Sequence, residues 1–562
     1  MKKLIECVPN FSEGRDLSII KQITDQIETV DGVKLLDVDP GFATNRTVVT
    51  FVGTPYEVIE AAFRAVKKAS ELIDMSKHKG EHPRFGATDV CPLVPVSNIT
   101  MEETVVYAHK LAKRIGEELG ISVYCYENAA FNEKRKNLAY CRSGEYEGLN
   151  DKLSKPEWKP DFGPAKLNVK SGATAVGARD FLIAVNYNLN TTSTRRANAI
   201  AFDVREKGRP KREGNPITGK IAKDENGNEI YIAGTLKATK AIGWFIDEYG
   251  IAQVSMNITN VSVTPLHIAF DEICKKAAER GVRVTGTEIV GLVPLKTLIE
   301  AGKYFLRKQK RSVGVDDKEL IKIAIKSMGL DDLKPFNPDE KIIEYLIAEK
   351  TKNKLVDLTC TDFANLTASE APAPGGGSIS AYMAALGASL GTMVANLSSH
   401  KAGWDEKWEE FSIWAEKGQQ LKSELLYLVD EDTISFNKIM DAFGLPKKTE
   451  AEIATRKQAI QDATKYATMI PFRVMETAFK ALDICKVMVE ICNPNSVTDA
   501  GVGALAVRSA IIGAFLNVKI NASGLSDKDF VNDIIAKGQK IEEQTLKIES
   551  EILKSVNAKI KI

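Results

Sequence analysis

Hydrophobic and polar positions change their spacing about two-thirds of the way along the chain. In the first part, short runs rich in β-branched residues alternate with longer stretches of helical spacing. The strand-like runs lie at 4–9, 47–52, 181–189 and 254–258, with a helix at 57–73 among them. From about Leu355 the helical spacing continues almost to the end, with segments near 379–397, 404–440, 449–490, 499–521 and 528–558. The alternation in the first part is typical of α/β or α+β layers. We predict a multidomain protein with two α+β subdomains, each a sheet plus helices, followed by an all-α up-and-down helical bundle.

The same pattern predicts the domain limits, which are residues 1–181, 182–347, a lysine-rich linker at 348–354, and 355–562. In the second subdomain we predict that the polar stretch 205–240 is a surface loop, with Asn226–Gly227 at the tip of a hairpin. In the last helix, Ile534, Ile541 and Ile548 recur every seven residues. That spacing predicts a packing seam that one small bundle leaves exposed, and therefore an interface.

Composition narrows the class of protein. Of the 562 residues 44% are hydrophobic and 27% charged, and 76 Lys and Arg against 75 Asp and Glu give a net charge of +1. This balance argues against a nucleic-acid-coating protein. The eight cysteines form no CxxC pair, and the N-terminus has no apolar signal run, so we expect a reduced, cytoplasmic protein. The uncharged stretch 371–399 consists mainly of Ala, Gly and Ser, which predicts a buried core helix and no membrane insertion.

Two histidines stand close together in the first part of the chain. His78 and His82 are four residues apart, a spacing that could pair them on zinc if the segment were helical. Gly80 and Pro83 disfavour a helix, so we predict no metal. A histidine on such a loop suits general-base chemistry, and a hydrogen-bonded turn histidine is the alternative. Farther along, the stretch 163–179 combines glycines with Lys and Arg in neither a GxGxxG nor a Walker pattern, so it is either a ligand loop or a plain connection.

In the helical part, one carboxylate falls on an apolar helix face. Asp432 shares that face with Leu425, Leu428, Val429, Phe436 and Ile439, whereas Asp430 and Glu431 project elsewhere. Burial should raise the pKa of Asp432, which makes it either a proton carrier or one half of a buried pair.

Two other helices carry small residues along one side. The helix predicted at 499–521 has Ala506, Ala510 and Gly513 on one side, followed by Asn517 and Asn521. The helix predicted at 379–397 has Ala384, Gly387, Gly391 and Ala395 on one side. These are packing seams or pocket walls, and the two amides would require partners if buried.

Several motifs carry a resemblance to a known family. In the first part they are ECVPNFSEG (6–14), TNRTV (44–48), GEHPR (80–84), PDFGP (160–164) and GLVPLK (291–296). In the helical part they are APGGGS (373–378), LVDED (428–432), LPK (445–447) and FLNVKIN (515–521). Together they resemble the formimidoyltransferase-cyclodeaminase family.

The resemblance implies two folate reactions of histidine degradation. The first part would transfer the formimidoyl group of N-formimidoyl-L-glutamate to N5 of tetrahydrofolate, with His82 as general acid or base. The helical part would cyclodeaminate 5-formimidoyltetrahydrofolate to 5,10-methenyltetrahydrofolate and ammonia, with Asp432 managing protons. Folate binding would fall on Gly163, Pro164, Ala165, Lys166, Leu167, Asn168, Val169, Lys170, Ser171 and Gly172. Further predicted substrate contacts are Asp39, Arg46, Arg84, Asn517 and Asn521.

Tetrahydrofolate would be a polyglutamylated co-substrate, and the resemblance implies a homo-oligomer, an octamer. Two rival readings stay open. One keeps the folate pocket but changes the reaction, to formyl transfer in the first part or methenyltetrahydrofolate hydrolysis in the helical part. The other is a non-catalytic folate-binding scaffold, against which the presence of both His82 and Asp432 counts.

Overall fold

A computed structural model describes residues 3–42, 44–80, 83–214, 219–347 and 354–560. The chain forms two compact units, residues 1–298 with 325–348 and residues 299–324 with 349–562. Residues 299–324 fall in the predicted second subdomain but group with the helical region. The predicted limits at 181, 347 and 354 stay predictions, and residues 348–353 of the predicted linker lie outside the described part of the chain.

The first unit begins with a seven-stranded sheet. Its strands are β1 (Leu4–Cys7), β2 (Asn10–Phe11), β3 (Lys34–Gly41), β4 (Arg46–Gly53), β5 (Thr88–Ser97), β6 (Ser122–Glu127) and β7 (Ala173–Ala178). The helices between them are α1 (Leu17–Glu28), α2 (Pro55–Leu72), α3 (Met101–Leu119), α4 (Leu138–Cys141) and α5 (Leu149–Leu153). Strands β5, β7 and β6 run parallel, and the other pairings are antiparallel.

This sheet separates two environments because successive side chains of a strand point to opposite faces. In β1, Ile5 and Cys7 are fully buried in the core formed with α1, α2 and α3. Leu4 and Glu6 therefore point to the other face. Helices α2 and α3 each start with a capping box, at Thr54 with Glu57 and at Thr100 with Glu103, which fixes where each helix begins.

A second sheet follows in the same unit, with the antiparallel order β11-β12-β8-β13. These strands are β8 (Ile183–Leu189), β11 (Thr239–Ile246), β12 (Ile251–Ile258) and β13 (Val284–Val290), and a small separate pair is β9 (Arg209–Pro210) with β10 (Tyr231–Ile232). The helices of this stretch are α6 (Thr194–Val204), α7 (Leu266–Ala278), α8 (Leu295–Lys308), α9 (Asp317–Met328), α10 (Pro338–Lys341) and α11 (Ile343–Ile347). At the predicted hairpin tip, Gly227 has φ +81° and its N–H donates to the Asp224 carbonyl, so the turn at Asn226–Gly227 is confirmed.

The remaining chain is helical, as its spacing predicts. Its helices are α12 (Cys360–Thr367), α13 (Gly376–Ser398), α14 (Trp408–Phe443), α15 (Glu450–Ile491), α16 (Val497–Ser523) and α17 (Lys528–Lys559). A Cβ added at Gly387 would lie 2.8 Å from the carbonyl oxygen of Gly503, so α13 and α16 pack too closely there for any larger residue. The small residues of these two helices are thus a packing seam over that length.

The prediction that one face of α17 is left exposed by the bundle is wrong. Ile534 is 2% exposed, and Ile541 and Ile548 pack against the core of their own unit, because α15 and α16 cover that face. Exposed apolar side chains occur on the other helices of this unit: Leu386, Met393 and Leu397 on α13, Val502, Leu505, Leu516 and Ile520 on α16, and Ile413, Ile434, Phe436, Met440 and Phe443 on α14.

Two helical stretches of the described chain, Gly376–Ser398 and Pro494–Ser523, have the length and hydropathy that a membrane span requires. About 61% and 50% of their most apolar windows are buried inside the protein. The remaining 39% and 50% of these windows are not fully buried.

Candidate active sites

A cleft of about 620 Å³ lies in the first unit between the outer face of the seven-stranded sheet and one end of the four-stranded sheet. Strands β1, β3, β4 and β5 contribute one wall, and β8, β11, β12 and β13 contribute residues of the other. The lining is rich in charge, with positive side chains at Arg46, Arg142, Arg179 and Lys240 and carboxylates at Glu6, Asp37, Asp39, Glu127 and Asp180.

The structure brings two of the predicted substrate contacts into this cleft. Asp39 and Arg46 lie on the paired strands β3 and β4, where Asp39 is opposite Val48. Arg46 donates to the side-chain oxygen of Asn10, and burial lowers the pKa of its guanidinium to about 10. Arg142 forms an ion pair with the fully buried Asp89.

His82 and its neighbour Glu81 lie outside the described residues, but the chain on both sides of them is placed. On one side, an added Cβ at Gly80 would lie 2.2 Å from the carbonyl oxygen of Thr44, so the loop touches the turn between β3 and β4. On the other side, the carbonyl oxygen of Arg84 accepts a hydrogen bond from Tyr146 at 3.0 Å. The flanks of His82 are therefore held next to the strand that carries Arg46.

His78 is the other histidine of this loop, and both of its ring nitrogens are engaged. Its Nε2 lies 2.8 Å from the carbonyl oxygen of Asn45, to which it can only donate. Its Nδ1 accepts from Nε of Arg84 at 3.2 Å. This neutral tautomer leaves no free lone pair, and burial lowers the pKa of the ring. His78 is thus a hydrogen-bonded turn histidine.

Arg84 is a buried clamp. Its guanidinium donates to Glu147 at 2.8 and 2.9 Å, to Glu145 at 3.2 Å and to the carbonyl oxygen of His78 at 3.2 Å. These partners raise the pKa of Arg84, with the Glu147 hydrogen bond the largest cause. The geometry favours a positioning role for Arg84 because all three guanidinium nitrogens already have partners.

The predicted folate segment 163–172 does not line the cleft. Its two end glycines are explained by packing, because an added Cβ would lie 2.2 Å from the Ile121 carbonyl oxygen at Gly163 and 2.2 Å from the Phe85 carbonyl oxygen at Gly172. Both have positive φ, at +81° and +67°. The middle of the segment is exposed at Ala165, Lys166, Val169 and Lys170.

The segment nevertheless lies beside the histidine loop. Tyr146, whose backbone N–H bonds Arg84, donates its hydroxyl to the carbonyl oxygen of Val169 at 2.6 Å. Gly86 and Gly172 also form a β-bridge. The structure thus brings together the described flanks of His82, Arg84 and the segment 163–172.

In the helical unit, Asp432 meets the first turn of α13. Ser378 donates its hydroxyl to Asp432 Oδ2 at 2.9 Å. Burial raises the pKa of the Asp432 carboxyl, while hydrogen bonds from the Ser378 side chain and backbone oppose the rise. A carboxyl held in this way can take up and release a proton near neutral pH more readily than an exposed one.

Glycines make room for this contact. A Cβ added at Gly377 would lie 2.2 Å from Asp432 Oδ1, and one at Gly376 would lie 3.1 Å from Nδ2 of Asn517. The predicted residues Asp432 and Asn517 therefore both lie against the start of α13. Asn517 itself donates to the Gly513 carbonyl at 2.9 Å.

Asn521 is placed apart from this turn, because its amide donates to the carbonyl oxygen of Ala467 on α15 at 2.9 Å. The predicted apolar stripe of α14 is only partly buried: Leu425, Leu428 and Val429 are fully buried, whereas Phe436 is exposed. Glu431 is buried and accepts a hydrogen bond from Tyr466 of α15.

Three residues of the cleft and of the Asp432 site, namely Glu6, Lys240 and Ser378, were not singled out from the sequence. Glu6 and Ser378 stand inside motifs that carried the resemblance, so the motifs were a signal, but nothing in their spacing singled out those positions. Lys240 lies near the start of β11, and it reaches the cleft only in the folded chain; Arg179, the arginine of the candidate ligand stretch 163–179, lines the same cleft. Within the described ranges, no group of three or more His, Cys, Asp and Glu side chains could hold a metal ion.

Comparisons with known proteins cover the whole chain. Residues 4–179 match the family model described as the formiminotransferase domain, N-terminal subdomain, residues 184–348 match the formiminotransferase domain, and residues 359–540 match formiminotransferase-cyclodeaminase. A formimidoyltransferase-cyclodeaminase of Dictyostelium discoideum is 42% identical over 98% of this chain and 99% of its own length.

Two shorter relatives match one half each. A glutamate formimidoyltransferase of Streptococcus pyogenes serotype M1 is 42% identical over 55% of this chain and 94% of its own length. A methenyltetrahydrofolate cyclohydrolase of Methylorubrum extorquens is 33% identical over 36% of this chain and 97% of its own length. The full-length match decides the assignment, and the chain belongs to the formimidoyltransferase-cyclodeaminase family.

Proposed function

We propose that this protein is a bifunctional, cytoplasmic folate enzyme of histidine degradation, with glutamate formimidoyltransferase and formimidoyltetrahydrofolate cyclodeaminase activities. The observation that carries the proposal is the match of 42% identity over 98% of the chain to a protein that is named for both activities. A candidate site in each unit, the charged cleft and the Asp432 turn, supports it.

For transfer, we place the reaction at the cleft and the adjoining histidine loop. N5 of tetrahydrofolate attacks the formimidoyl carbon and loses its proton, and the glutamate nitrogen gains a proton as it leaves. One imidazole, His82, can accept the first proton and return it in the second step. Asp39 and Arg46 contact substrate from the cleft wall, Arg84 positions the loop, and the segment 163–172 binds folate beside it.

For cyclodeamination, we place the reaction at the start of α13. N10 attacks the carbon of the protonated formimidoyl group on N5. The proton of N10 moves to the departing nitrogen, which already carries two hydrogens and leaves as ammonia, so that the 5,10-methenyl cation remains. Asp432 carries that proton, and Ser378 orients the carboxyl. Asn517, against Gly376, and Asn521 are the proposed amide contacts to the folate.

The test is an assay of the purified protein with N-formimidoyl-L-glutamate and tetrahydrofolate, in which methenyl-folate absorbance and ammonia are followed together. Both products should appear in equal amounts. If neither product appears, or if the formyl group of N-formyl-L-glutamate is transferred to tetrahydrofolate at the same rate, the proposal is contradicted.

A second candidate reaction for the helical unit is hydrolysis of methenyltetrahydrofolate, which the 33% identity to the Methylorubrum extorquens cyclohydrolase favours. Supplied 5,10-methenyltetrahydrofolate distinguishes the two. A cyclodeaminase leaves its absorbance unchanged beyond the spontaneous rate, whereas a cyclohydrolase consumes it without ammonia.

We further propose that the chain assembles into a homo-oligomer, an octamer by resemblance to its family, through the exposed apolar side chains of α13 and α16. A second copy is the occupant we propose because both helices are long and apolar, yet 39% and 50% of their most apolar windows are not buried within one chain. Light scattering should give a multiple of 61.6 kDa, and the double variant Leu516→Glu, Ile520→Glu should lower the mass. A wild-type monomer would contradict this proposal.

The co-substrate is proposed to be a polyglutamylated tetrahydrofolate, whose acidic tail would stay bound to Lys and Arg side chains while the pteridine end moves between sites. The coupled assay should then show less free 5-formimidoyltetrahydrofolate with a polyglutamyl than with a monoglutamyl folate. No membrane, nucleic acid or metal is part of the proposed function.

A further inference from the structure

Glu6 is a buried acid of the cleft for which the proposed transfer chemistry has no role. It lies on β1 with the cleft on its side of the sheet, and its side chain is 2% exposed. Its carboxylate has no hydrogen bond or ion pair with the described residues, although its backbone is part of the sheet. Desolvation raises the pKa of the Glu6 carboxyl to about 7, while Arg179 beyond β7 lowers it and Glu344 on α11 raises it.

An unpaired carboxylate in such a place costs stability. Burial without a partner penalises the ionised form, and an apolar side chain at the same position would avoid the penalty. The neighbouring cleft positions Val8, Val48 and Val90 are apolar, so the wall accepts such side chains. A partner that arrives with the substrate would explain why an acid is present there.

The formimidoyl donor carries the complementary group. Its HN=CH–NH unit is an amidine, which is protonated near neutral pH and presents N–H donors from a planar cation, as a guanidinium does. A carboxylate can accept two such hydrogen bonds side by side. The corresponding formyl group has a carbonyl oxygen in place of one nitrogen, is neutral, and would turn a lone pair toward the carboxylate.

The remainder of the cleft suits the rest of that donor. Its glutamate portion bears two carboxylates, and Arg46, Arg179 and Lys240 line the same space. Arg179 donates to the carbonyl oxygen of Asp180 and has no ion pair with a described side chain. Glu6 and these cations therefore match a substrate that is positive at the transferred group and negative at its other end.

We propose that Glu6 binds the amidinium of the formimidoyl donor and makes the cleft select formimidoyl over formyl donors. This inference rests on the proposed transferase function, and it adds the residue that distinguishes the two donors.

The test compares binding of N-formimidoyl-L-glutamate and N-formyl-L-glutamate to the full-length wild type and to Glu6→Gln, by titration calorimetry at pH 8. Loss of a buried charged partner should weaken binding of the formimidoyl compound on the order of 10²-fold. Binding of the formyl compound should stay within a few-fold or tighten. The melting temperature of Glu6→Gln at pH 8 should equal or exceed that of wild type, because the substitution removes a desolvated charge.

Glu118→Gln is the matched control, since Glu118 is an exposed acid of α3 that pairs with Arg114. It should bind both compounds like wild type. If Glu6→Gln weakens both compounds equally, or keeps the wild-type preference, the role of Glu6 is overturned. If the wild type binds neither compound, the transferase function fails before any variant is made, so the two failures are distinguishable.

Discussion

Replacing His82 with alanine is expected to lower formimidoyl transfer by about 10²–10⁴-fold, the usual loss for a general base. N5 of tetrahydrofolate cannot form its new bond without giving up a proton, and a methyl group cannot accept one. Folate binding and the deamination of supplied 5-formimidoyltetrahydrofolate should continue, because the Asp432 site is a separate one in the helical unit. Single-step assays for transfer and for ammonia release measure the two activities independently.

His78→Ala is the matched control in the same loop. His78 donates to the Asn45 carbonyl and accepts from Arg84, so the structure gives it an anchoring role. We expect this variant to melt at a lower temperature and to lose less transfer activity than His82→Ala. The assignment of His82 as the general base is contradicted if His82→Ala transfers within a few-fold of the wild-type rate. It is also contradicted if His78→Ala stays folded and loses more transfer activity than His82→Ala.

The helical half of the fold could be predicted from the sequence almost helix by helix, because long periodic segments specify both their type and their buried face. The period does not say which neighbour covers that face. Ile534, Ile541 and Ile548 therefore share a side, as predicted, but α15 and α16 cover it, and exposed apolar side chains lie on α13, α14 and α16 instead. That outcome depends on helix order, which spacing does not encode.

A candidate site residue could be predicted from the sequence only where the pattern within a single helix or strand distinguished it. Asp432 stands out because an acid interrupts an apolar stripe within a single helix. The contact of Ser378 with that acid joins residues 54 positions apart, and the cleft joins strands from two sheets. In the sequence, Glu6 is an ordinary polar position of an alternating strand. Its place in the cleft becomes visible only when the second sheet is packed against the first. Such residues need the tertiary structure.

Asp432→Asn is expected to give the opposite result to His82→Ala. Transfer should continue, 5-formimidoyltetrahydrofolate should accumulate, and ammonia release should fall by about 10²–10⁴-fold because the amide cannot take the proton of N10. Ser378→Ala should lower ammonia release by a smaller factor, since it removes only the hydroxyl that orients the carboxyl.

Stability separates this catalytic role from a structural one. Burial raises the pKa of Asp432 in the folded protein above its unfolded value, so folding is penalised once the pH exceeds the unfolded pKa. Asparagine removes that penalty, and Asp432→Asn should melt at the same temperature as wild type or higher at pH 8. Asp430→Asn is the control from the same helix, because its carboxyl accepts from the Leu355 backbone at 2.7 Å and its pKa is also raised by burial. It should keep ammonia release within a few-fold of wild type. If Asp432→Asn unfolds, Asp432 is one half of a buried structural pair and the variant does not test catalysis. If a folded Asp432→Asn keeps ammonia release, or if Asp430→Asn loses deamination to the same extent while folded, Asp432 is not the proton carrier.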